Sequence, residues 1–436
     1  MSLVKAVKAV SFLWLGSIGG AACAFFTQVL LARQLNADEF GLFSSAMAMV
    51  LLVVPLAGFG VAQFWLKAFG EEGWTAVRWF PSSFKSVFIT TLSALLILYG
   101  WAWGGPHDSI TKELIIILSF YVLGQLALEL VSGRYQLEEQ YFKLSAWQFL
   151  PHFTRLVMLI LLFFIIDAGF DVLNVGSIYA VVSLLFFMTG LYVVDAMYRG
   201  RFFLRGHGAK PVMSSNDNKA APAISAVLMS AWPFGVAALS HLVYYQSDII
   251  LIKYYIGDAE AGIYNVGFTV MAAVYLFPGV VYQKFFLPKM HRWANSSREQ
   301  LFEVYRIGNY AMLILGLITA LFLWGISSVM IDLIFGAQYE MSIGVLKVLA
   351  LSAPITFLAF SVGATLVTQE HMRMKVKYML VVAVINVALN IVFIPIYGVI
   401  GAAYTTLLSN GVLLFLYYRG AQKYVFGRGF FDLRKK

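Results

Sequence analysis

The chain alternates long apolar stretches with short polar segments along nearly its whole length. A helix needs about 20 apolar residues to cross ~30 Å of hydrocarbon, and twelve stretches meet that condition. The stretches are continuously apolar, whereas the strands of a membrane β-barrel alternate between apolar and polar positions. The pattern therefore predicts an all-α membrane protein of about twelve transmembrane helices, at about residues 9–32, 41–66, 84–104, 113–133, 147–166, 175–198, 224–250, 261–283, 307–331, 345–368, 378–396 and 399–418.

The basic residues are divided unequally between the two sides that these spans define. An even number of spans places both termini on one side of the membrane. With the N-terminus inside, the outside segments hold only four of the 31 Lys and Arg residues, which are Arg33, Lys112, Lys253 and Lys347. Cytoplasmic loops of membrane proteins carry the excess of basic residues. The sequence therefore predicts a multi-pass protein with both termini in the cytoplasm.

Two halves follow from the longest polar interruption, at residues 199–223. We predict an N-terminal six-helix bundle at 1–198, a cytoplasmic linker at 199–223, and a C-terminal six-helix bundle with a basic tail at 224–436. A weak internal repeat supports this division, because residues 35–43 resemble residues 256–264 and residues 176–179 resemble residues 401–404. Bundles of six helices each insert in the same direction, which predicts a pseudo-symmetric transporter architecture.

Composition and charge remove several other classes of protein. The chain is 61% apolar and 12% charged, whereas soluble domains carry roughly 25% charged residues. The net charge of +9 follows from the cytoplasmic excess of basic residues, so no nucleic-acid partner is expected. One Cys and six scattered His residues offer no disulfide framework and no metal-ligand spacing. No P-loop or catalytic constellation occurs, so we expect no enzymatic activity, metal or cofactor.

Polar side chains within apolar spans are costly and mark functional hypotheses. Several of them repeat at helical spacing, which places them on one helix face. Converging faces would line a polar cavity. The polar residues on these faces, helix by helix, are Gln63 and Lys67; Gln125 and Glu129; Gln148, His152 and Arg155; His241, Tyr244 and Asp248; and Asn386 and Asn390.

Each of these residues also has a structural interpretation. The amides are equally suited to hydrogen bonds between helices, and Lys67 is close enough to the boundary to extend into the headgroups. Glu129 and Arg155 lie on the inner halves of adjacent helices and suit a structural ion pair. His241 suits a packed neutral imidazole.

The motifs of the chain resemble those of a known family. Residues 33–43 (RQLNADEFGLF) resemble the R-x-L-x-x-x-E-[FY]-G-x-[FY] signature of Wzx-type polysaccharide flippases. These flippases belong to the multidrug/oligosaccharidyl-lipid/polysaccharide (MOP) exporter superfamily. Asp248 with residues 257–264, the segment 334–339 and the turn at 395–403 are similar to further elements of that family, in the same order.

The resemblance implies a MOP/MATE-like fold and a specific substrate. The family moves undecaprenyl-pyrophosphate-linked oligosaccharide repeat units to the periplasmic leaflet of the bacterial inner membrane by alternating access, driven by an ion gradient. For this chain, the resemblance implies pyrophosphate binding by Arg155, Lys67 and Arg306. Gln63, Gln125, His152, Tyr244, Asn386 and Asn390 would complete the substrate cavity. Asp248, Glu129 and His241 would couple to the ion. Polymerase and chain-length proteins of polysaccharide assembly are the expected partners.

Three alternatives remain open at this point. A drug/cation antiporter of the same superfamily would also use a buried carboxylate such as Asp248. A membrane-embedded glycosyltransferase or polymerase would need a large polar outside loop or a cluster of catalytic acids, and the outside loops here are short. A non-transporting component of a polysaccharide-assembly complex is the third.

Overall fold

The computed structural model describes residues 3–165, 170–205, 207–208, 221–282, 290, 298–367 and 372–426. Most of the predicted linker, including residues 209–220, lies outside these ranges. The described chain forms thirteen α-helices with short 3-10 and π-helical turns between them. They are α1 (Leu3–Gln34), α2 (Ala37–Val53), α3 (Val61–Glu72), α4 (Phe80–Gly104), α5 (Ser109–Leu137), α6 (Tyr141–Ile165), α7 (Val172–Tyr198), α8 (Ile224–Tyr255), α9 (Asp258–Val280), α10 (Arg298–Ile334), α11 (Ser342–Ala350), α12 (Ala353–Thr365) and α13 (Met372–Gly420).

The prediction of an all-α membrane fold is confirmed. Nine helical runs among the described residues are long and apolar enough to span a membrane, or ten when the bent pair α11 and α12 is taken as one span. Two of the nine runs, Ala37–Gly104 and Met372–Phe426, each cover two of the predicted spans. Each of the twelve predicted stretches therefore coincides with one helix or with one broken helix, and the described ranges contain no strand.

The predicted span at 41–66 is broken rather than continuous. A 3-10 turn at Val54–Leu56 separates α2 from α3, with Pro55 near its start. Proline lacks the amide hydrogen that a continuing helix requires. Gly60 then adopts a positive φ of 80° directly before α3, a conformation that glycine adopts without steric cost. These two residues divide one apolar stretch into two helices.

Two more predicted features depend on local breaks. The span predicted at 345–368 bends by 44° between α11 and α12, where Pro354 is the second residue of α12. The reversal predicted near residue 398 is an abrupt kink within α13, at Gly398 with a φ of 62°. The N-termini of α5 and α7 are capped by aspartate side chains. Asp108 accepts a hydrogen bond from the backbone amide of Thr111, and Asp171 accepts one from the backbone amide of Asn174.

One compact unit comprises Met1–Thr27 and Ala46–Leu242. Its most extensive helix contact joins α5 and α7, which approach closely at small residues. A Cβ on Gly190 would lie only 2.7 Å from the Cβ of Ala127. A buried aromatic cluster lies elsewhere in the unit and contains Trp65, Phe69, Phe80 and Phe202.

The second compact unit comprises Gln28–Ser45 and Val243–Lys436, and within it the two copies of the sequence repeat meet. A Cβ on Gly41 would lie 1.6 Å from the carbonyl oxygen of Asp258, and a Cβ on Gly262 would lie 2.9 Å from that of Ala37. In the repeat, Gly41 corresponds to Gly262 and Ala37 corresponds to Asp258. The contact between α2 and α9 is therefore reciprocal, as in a local two-fold arrangement. The predicted division into an N-terminal bundle at 1–198 and a C-terminal bundle at 224–436 follows the order of the chain and stays a prediction.

Polar side chains reinforce the contact between the two repeats. Asn265 donates to the hydroxyl of Ser44 at 2.8 Å, and these residues also occupy corresponding positions of the repeat. Asp258 accepts from Lys253 Nζ at 2.5 Å and from the Ser45 hydroxyl at 3.1 Å. The aligned glycines are thus surrounded by hydrogen bonds that fix the register of α2 on α9.

The segment 334–339 interlocks with the end of α1. The Arg33 guanidinium donates to the Ile334 carbonyl at 2.7 Å and to the Leu333 carbonyl. In return, the Gln338 amide donates to the Ala32 carbonyl at 2.8 Å. The last carbonyls of a helix have no partner within it, so each helix end receives a donor from the other segment. This exchange gives a structural role to Arg33, a polar position of the family signature, and to Gln338 within the segment 334–339.

We predict that Gly41→Ala destabilises the protein while Gly100→Ala does not. The added methyl at position 41 would overlap the Asp258 carbonyl oxygen, whereas nothing lies within 4 Å at position 100. Overpacking typically costs about 1–3 kcal/mol, and Ala is a better helix former than Gly. Thermal unfolding in detergent should show a lower Tm for Gly41→Ala alone. Equal Tm values for the two variants would contradict the close approach of α2 and α9.

Candidate functional site

A buried carboxylate in the second unit is held by donors from two other helices. Asp248 on α8 is 2% exposed. Its Oδ2 accepts from the Tyr264 hydroxyl at 2.5 Å and from the Thr406 hydroxyl at 2.6 Å. Its Oδ1 accepts from the Asn390 amide at 2.5 Å. These three hydrogen bonds hold both carboxylate oxygens of Asp248 against α9 and α13, away from water.

A second layer of polar groups surrounds these donors. The Asn386 oxygen accepts from the Asn390 amide at 3.2 Å and from the Ser247 hydroxyl at 3.0 Å. Both asparagines are fully buried, and the Asn390 oxygen has no hydrogen-bond partner among the described residues. Tyr244 lies beside them, with its hydroxyl 3.5 Å from the Thr406 carbonyl. Carboxylate, amide and hydroxyl oxygens suit either a proton or a small hard cation.

The first unit contains a buried cation. Arg155 on α6 is 5% exposed, and its guanidinium carbon lies 4.2 Å from the ring centroid of Tyr179 and 5.2 Å from that of Tyr121. No carboxylate lies within ion-pair distance of it among the described residues, so the ion pair considered with Glu129 is not formed there. Its Nε has no hydrogen-bond partner within the described structure. A buried guanidinium of this kind attracts an anion.

A polar cleft of about 260 Å³ opens in the same unit, among α3, α5 and α6. Its floor is a close contact of small residues, because a Cβ on Gly133 would meet Ala62 at 3.4 Å. Long polar side chains surround this floor. The cleft is lined by Gln63, Gln125, Glu129, Ser132, Gln136 and Gln148, together with Leu66 and Leu128.

The remaining predicted residues lie in other surroundings. His152 shares a helix face with Arg155 and is half-buried, with its Nδ1 unpartnered in the described structure. Lys67 lies 3.9 Å from Glu71, and both side chains are more than half exposed. Arg306 and His241 are also exposed. The hydrogen bonds of Asp248 involve neither Glu129 nor His241.

Sequence reasoning missed two of the three donors to Asp248 and two residues of the cleft. Tyr264 lies in the segment 257–264, which was interpreted only through the internal repeat and the family resemblance, and Thr406 is one hydroxyl among many in an apolar span. Ser132 and Gln136 continue the face begun by Gln125 and Glu129, at the i+3 and i+4 spacing of a helix. The full length of this stripe on α5 could have identified them.

Comparison with known proteins places the chain in a family. The family model described as "Polysaccharide biosynthesis protein" matches residues 6–292. The chain is 20% identical over 413 residues to the capsular polysaccharide biosynthesis protein CapF of Staphylococcus aureus, covering 94% of this chain and 98% of that protein. It is 24% identical over 178 residues to the probable low-salt glycan biosynthesis flippase Agl15 of Haloferax volcanii. That second match spans 41% of this chain and 38% of the Haloferax protein.

Solved structures show the same fold. The lipid II flippase MurJ in an inward closed conformation superposes with a TM-score of 0.71 at 13% identity, covering 94% of this chain and 87% of that one. An inward-facing multidrug resistance MATE transporter of the MOP superfamily superposes with a TM-score of 0.62 at 14% identity, covering 95% and 97%. These findings confirm the resemblance identified from the motifs. The chain belongs to the polysaccharide biosynthesis protein family and has the fold of the MOP superfamily.

Proposed function

We propose that this chain is a flippase that moves undecaprenyl-pyrophosphate-linked oligosaccharide repeat units, of O-antigen or a similar polysaccharide, from the cytoplasmic to the periplasmic leaflet of the bacterial inner membrane. Family membership supports a role in polysaccharide biosynthesis. The names of a relative and of a structural neighbour, Agl15 and MurJ, both include the word flippase. Transport rather than catalysis is the role we assign, with both termini in the cytoplasm.

The observation that carries this proposal is the buried guanidinium of Arg155. A buried charge within a membrane bundle is expensive and marks a candidate functional site, and this one has two tyrosine rings but no carboxylate against it among the described residues. Guanidinium groups bind phosphate oxygens through paired hydrogen bonds. A pyrophosphate group carries the required charge, and the Nε, which lacks a partner among the described residues, would become one of its donors. His152, on the same face of α6, would provide a second contact.

Ion coupling is assigned to Asp248. Binding a cation or proton there would neutralise the carboxylate and redirect the hydrogen bonds of Tyr264, Thr406 and Asn390, which tie α8, α9 and α13 together. An ion that binds one arrangement of these helices more tightly than another shifts the equilibrium between them. We propose this shift as the link between the ion gradient and alternating access. We also propose that the chain works together with the polymerase and chain-length proteins of polysaccharide assembly.

The test uses a strain that lacks the gene. Lipid-linked oligosaccharides would be extracted from spheroplasts after treatment with a membrane-impermeant reagent that oxidises sugars. We expect the oligosaccharides of the deletion strain to be protected, and the wild-type chain to restore their exposure. A deletion strain with normal surface polysaccharide and heightened drug sensitivity would contradict the flippase and favour the drug/cation antiporter, for which the buried Asp248 is also suited. Lost polysaccharide with normal exposure of the oligosaccharides would favour a non-transporting assembly component.

A further inference from the structure

The cleft among α3, α5 and α6 contains polar side chains that form no hydrogen bond with any other described residue. The side chains of Gln63, Gln125, Glu129 and Gln148 make no hydrogen bond to any other described residue. Ser132 is 7% exposed, and its hydroxyl lacks a partner within the described structure. Gln125, Glu129 and Gln148 are half-buried, whereas Gln63 is exposed. Buried polar groups need hydrogen-bond partners, so a ligand or water has to provide those of the half-buried side chains.

The polar groups follow one helix face. Gln125, Glu129, Ser132 and Gln136 succeed each other at i, i+4, i+7 and i+11 on α5, which is one stripe of a helix. The stripe extends for about 16 Å at 1.5 Å per residue. Gln63 on α3 and Gln148 on α6 line the same cleft from two other helices. Donors and acceptors are thus presented from three sides.

The chemistry of this lining fits hydroxyl groups. Each glutamine amide offers two donors and an acceptor, while an ionised carboxylate only accepts. A sugar hydroxyl both donates and accepts, so adjacent hydroxyls of a pyranose match an amide or an amide–carboxylate pair. The cleft of about 260 Å³ lies near the lower end of the ~300–1,000 Å³ range of small-molecule sites. That size suits one sugar ring rather than an extended chain.

The charge of the lining selects among sugars. Glu129 is the charged residue of the cleft, and no Lys or Arg lines it within the described structure. A second carboxylate placed beside Glu129 would meet a like charge without a compensating cation. The same argument keeps a pyrophosphate out of this cleft.

We propose that this cleft is a carbohydrate subsite for one uncharged pyranose of the substrate, and that Glu129 makes it reject acidic sugars. The proposal rests on the proposed flippase function and adds to it, because sugar and pyrophosphate are then recognised by separate residues. Glu129 contacts sugar hydroxyls in this assignment, and Asp248 alone retains the coupling role.

Ligand-observed saturation-transfer NMR on the purified full-length chain in lipid nanodiscs tests the subsite at pH 8. The probes are methyl α-glucopyranoside, methyl N-acetylglucosaminide and glucuronic acid, each at millimolar concentration. For the wild-type chain, we expect a signal from at least one of the two neutral sugars and none from glucuronic acid. Gln125→Leu should lower the neutral-sugar signal at least fivefold, while Gln300→Leu, the same substitution at an exposed position of α10, should leave it unchanged.

Glu129→Gln provides the decisive comparison, because it removes the charge and keeps the shape of the side chain. We expect this variant to retain the neutral-sugar signal and to gain one from glucuronic acid. A wild-type chain that binds neither neutral sugar, or that binds glucuronic acid as well as the neutral ones, would overturn the subsite.

The leaflet assay run in parallel separates the two proposals. Flipping without sugar binding contradicts the subsite alone, and sugar binding without flipping contradicts the flippase alone.

Discussion

Asp248→Asn is expected to lower the rate of flipping by about 5- to 150-fold, the loss of a coupling free energy of about 1–3 kcal/mol. The asparagine has the shape of the aspartate and can still accept from Tyr264 and Thr406. Its new amide would face Asn390, whose side chain can rotate to present its unpartnered oxygen, so the bundle should fold. It lacks the charge that would attract a cation or proton. Flipping in reconstituted vesicles, with and without an imposed gradient of protons or of sodium, measures the effect. Only the wild-type chain should respond to the gradient.

Two further variants separate the charge of Asp248 from its packing. Thr406→Val removes one hydrogen bond and keeps the carboxylate, and a single hydrogen bond to a charged group contributes about 1.5–3 kcal/mol. We expect this variant to be less stable while still responding to the gradient. Asp332→Asn removes an exposed carboxylate on α10 and should change neither property. A gradient response that survives in Asp248→Asn would remove this residue from the coupling mechanism.

Arg155→Met is expected to lower flipping on the order of 10- to 100-fold without loss of thermal stability. Methionine approximates the length of the arginine stem and can pack against Tyr121 and Tyr179. Replacing a buried charge by an apolar side chain is often neutral or stabilising, whereas each lost bond from a charged donor costs about 1.5–3 kcal/mol of substrate affinity. Flipping and Tm measured on the same preparation give the result. A large fall in Tm would instead indicate a structural role.

Matched variants show whether the guanidinium itself is needed. Arg155→Lys keeps the charge but lacks the planar fork that binds phosphate through two bonds, so flipping should fall to an intermediate value. Arg199→Met removes an arginine from an exposed pair with Asp195, whose N–O distance is 2.8 Å. Exposed pairs contribute about 0–1 kcal/mol, and this variant should flip at the wild-type rate. Equal rates for Arg155→Met and Arg199→Met would contradict the pyrophosphate site.

The sequence identified part of each candidate site. Asp248, Asn386, Asn390 and Tyr244 were all named from their positions in apolar spans, and the structure brings them into one hydrogen-bond network. Tyr244, Asn386 and Asn390 were assigned to the substrate and Asp248 to the ion, and the sequence alone could not show that these side chains lie together, because they come from helices far apart in sequence. Gln63, Gln125 and Glu129 likewise share one cleft, although Glu129 was expected to couple to the ion. These roles stay predictions until the variants are measured.

The partner of Arg155 is a second example. Sequence position on adjacent helices favoured Glu129, but the structure places two tyrosine rings against the guanidinium instead. The positions of two residues along neighbouring spans indicate that they lie at a similar depth in the membrane. They do not determine how each helix is rotated about its own axis. That rotation, set by packing of small residues such as Gly190 against Ala127, decides which faces meet.

The amino-acid sequence by itself determined the class of this protein and the place of each span, because the hydrocarbon imposes a condition on length and apolarity that can be tested one segment at a time. It also contained the repeat, whose glycines permit the contact between α2 and α9. Only the tertiary structure decided which polar groups share a site. That outcome depends on breaks at Gly60 and Gly398 and on how helices rotate against one another, which are properties of the packed chain rather than of any one segment.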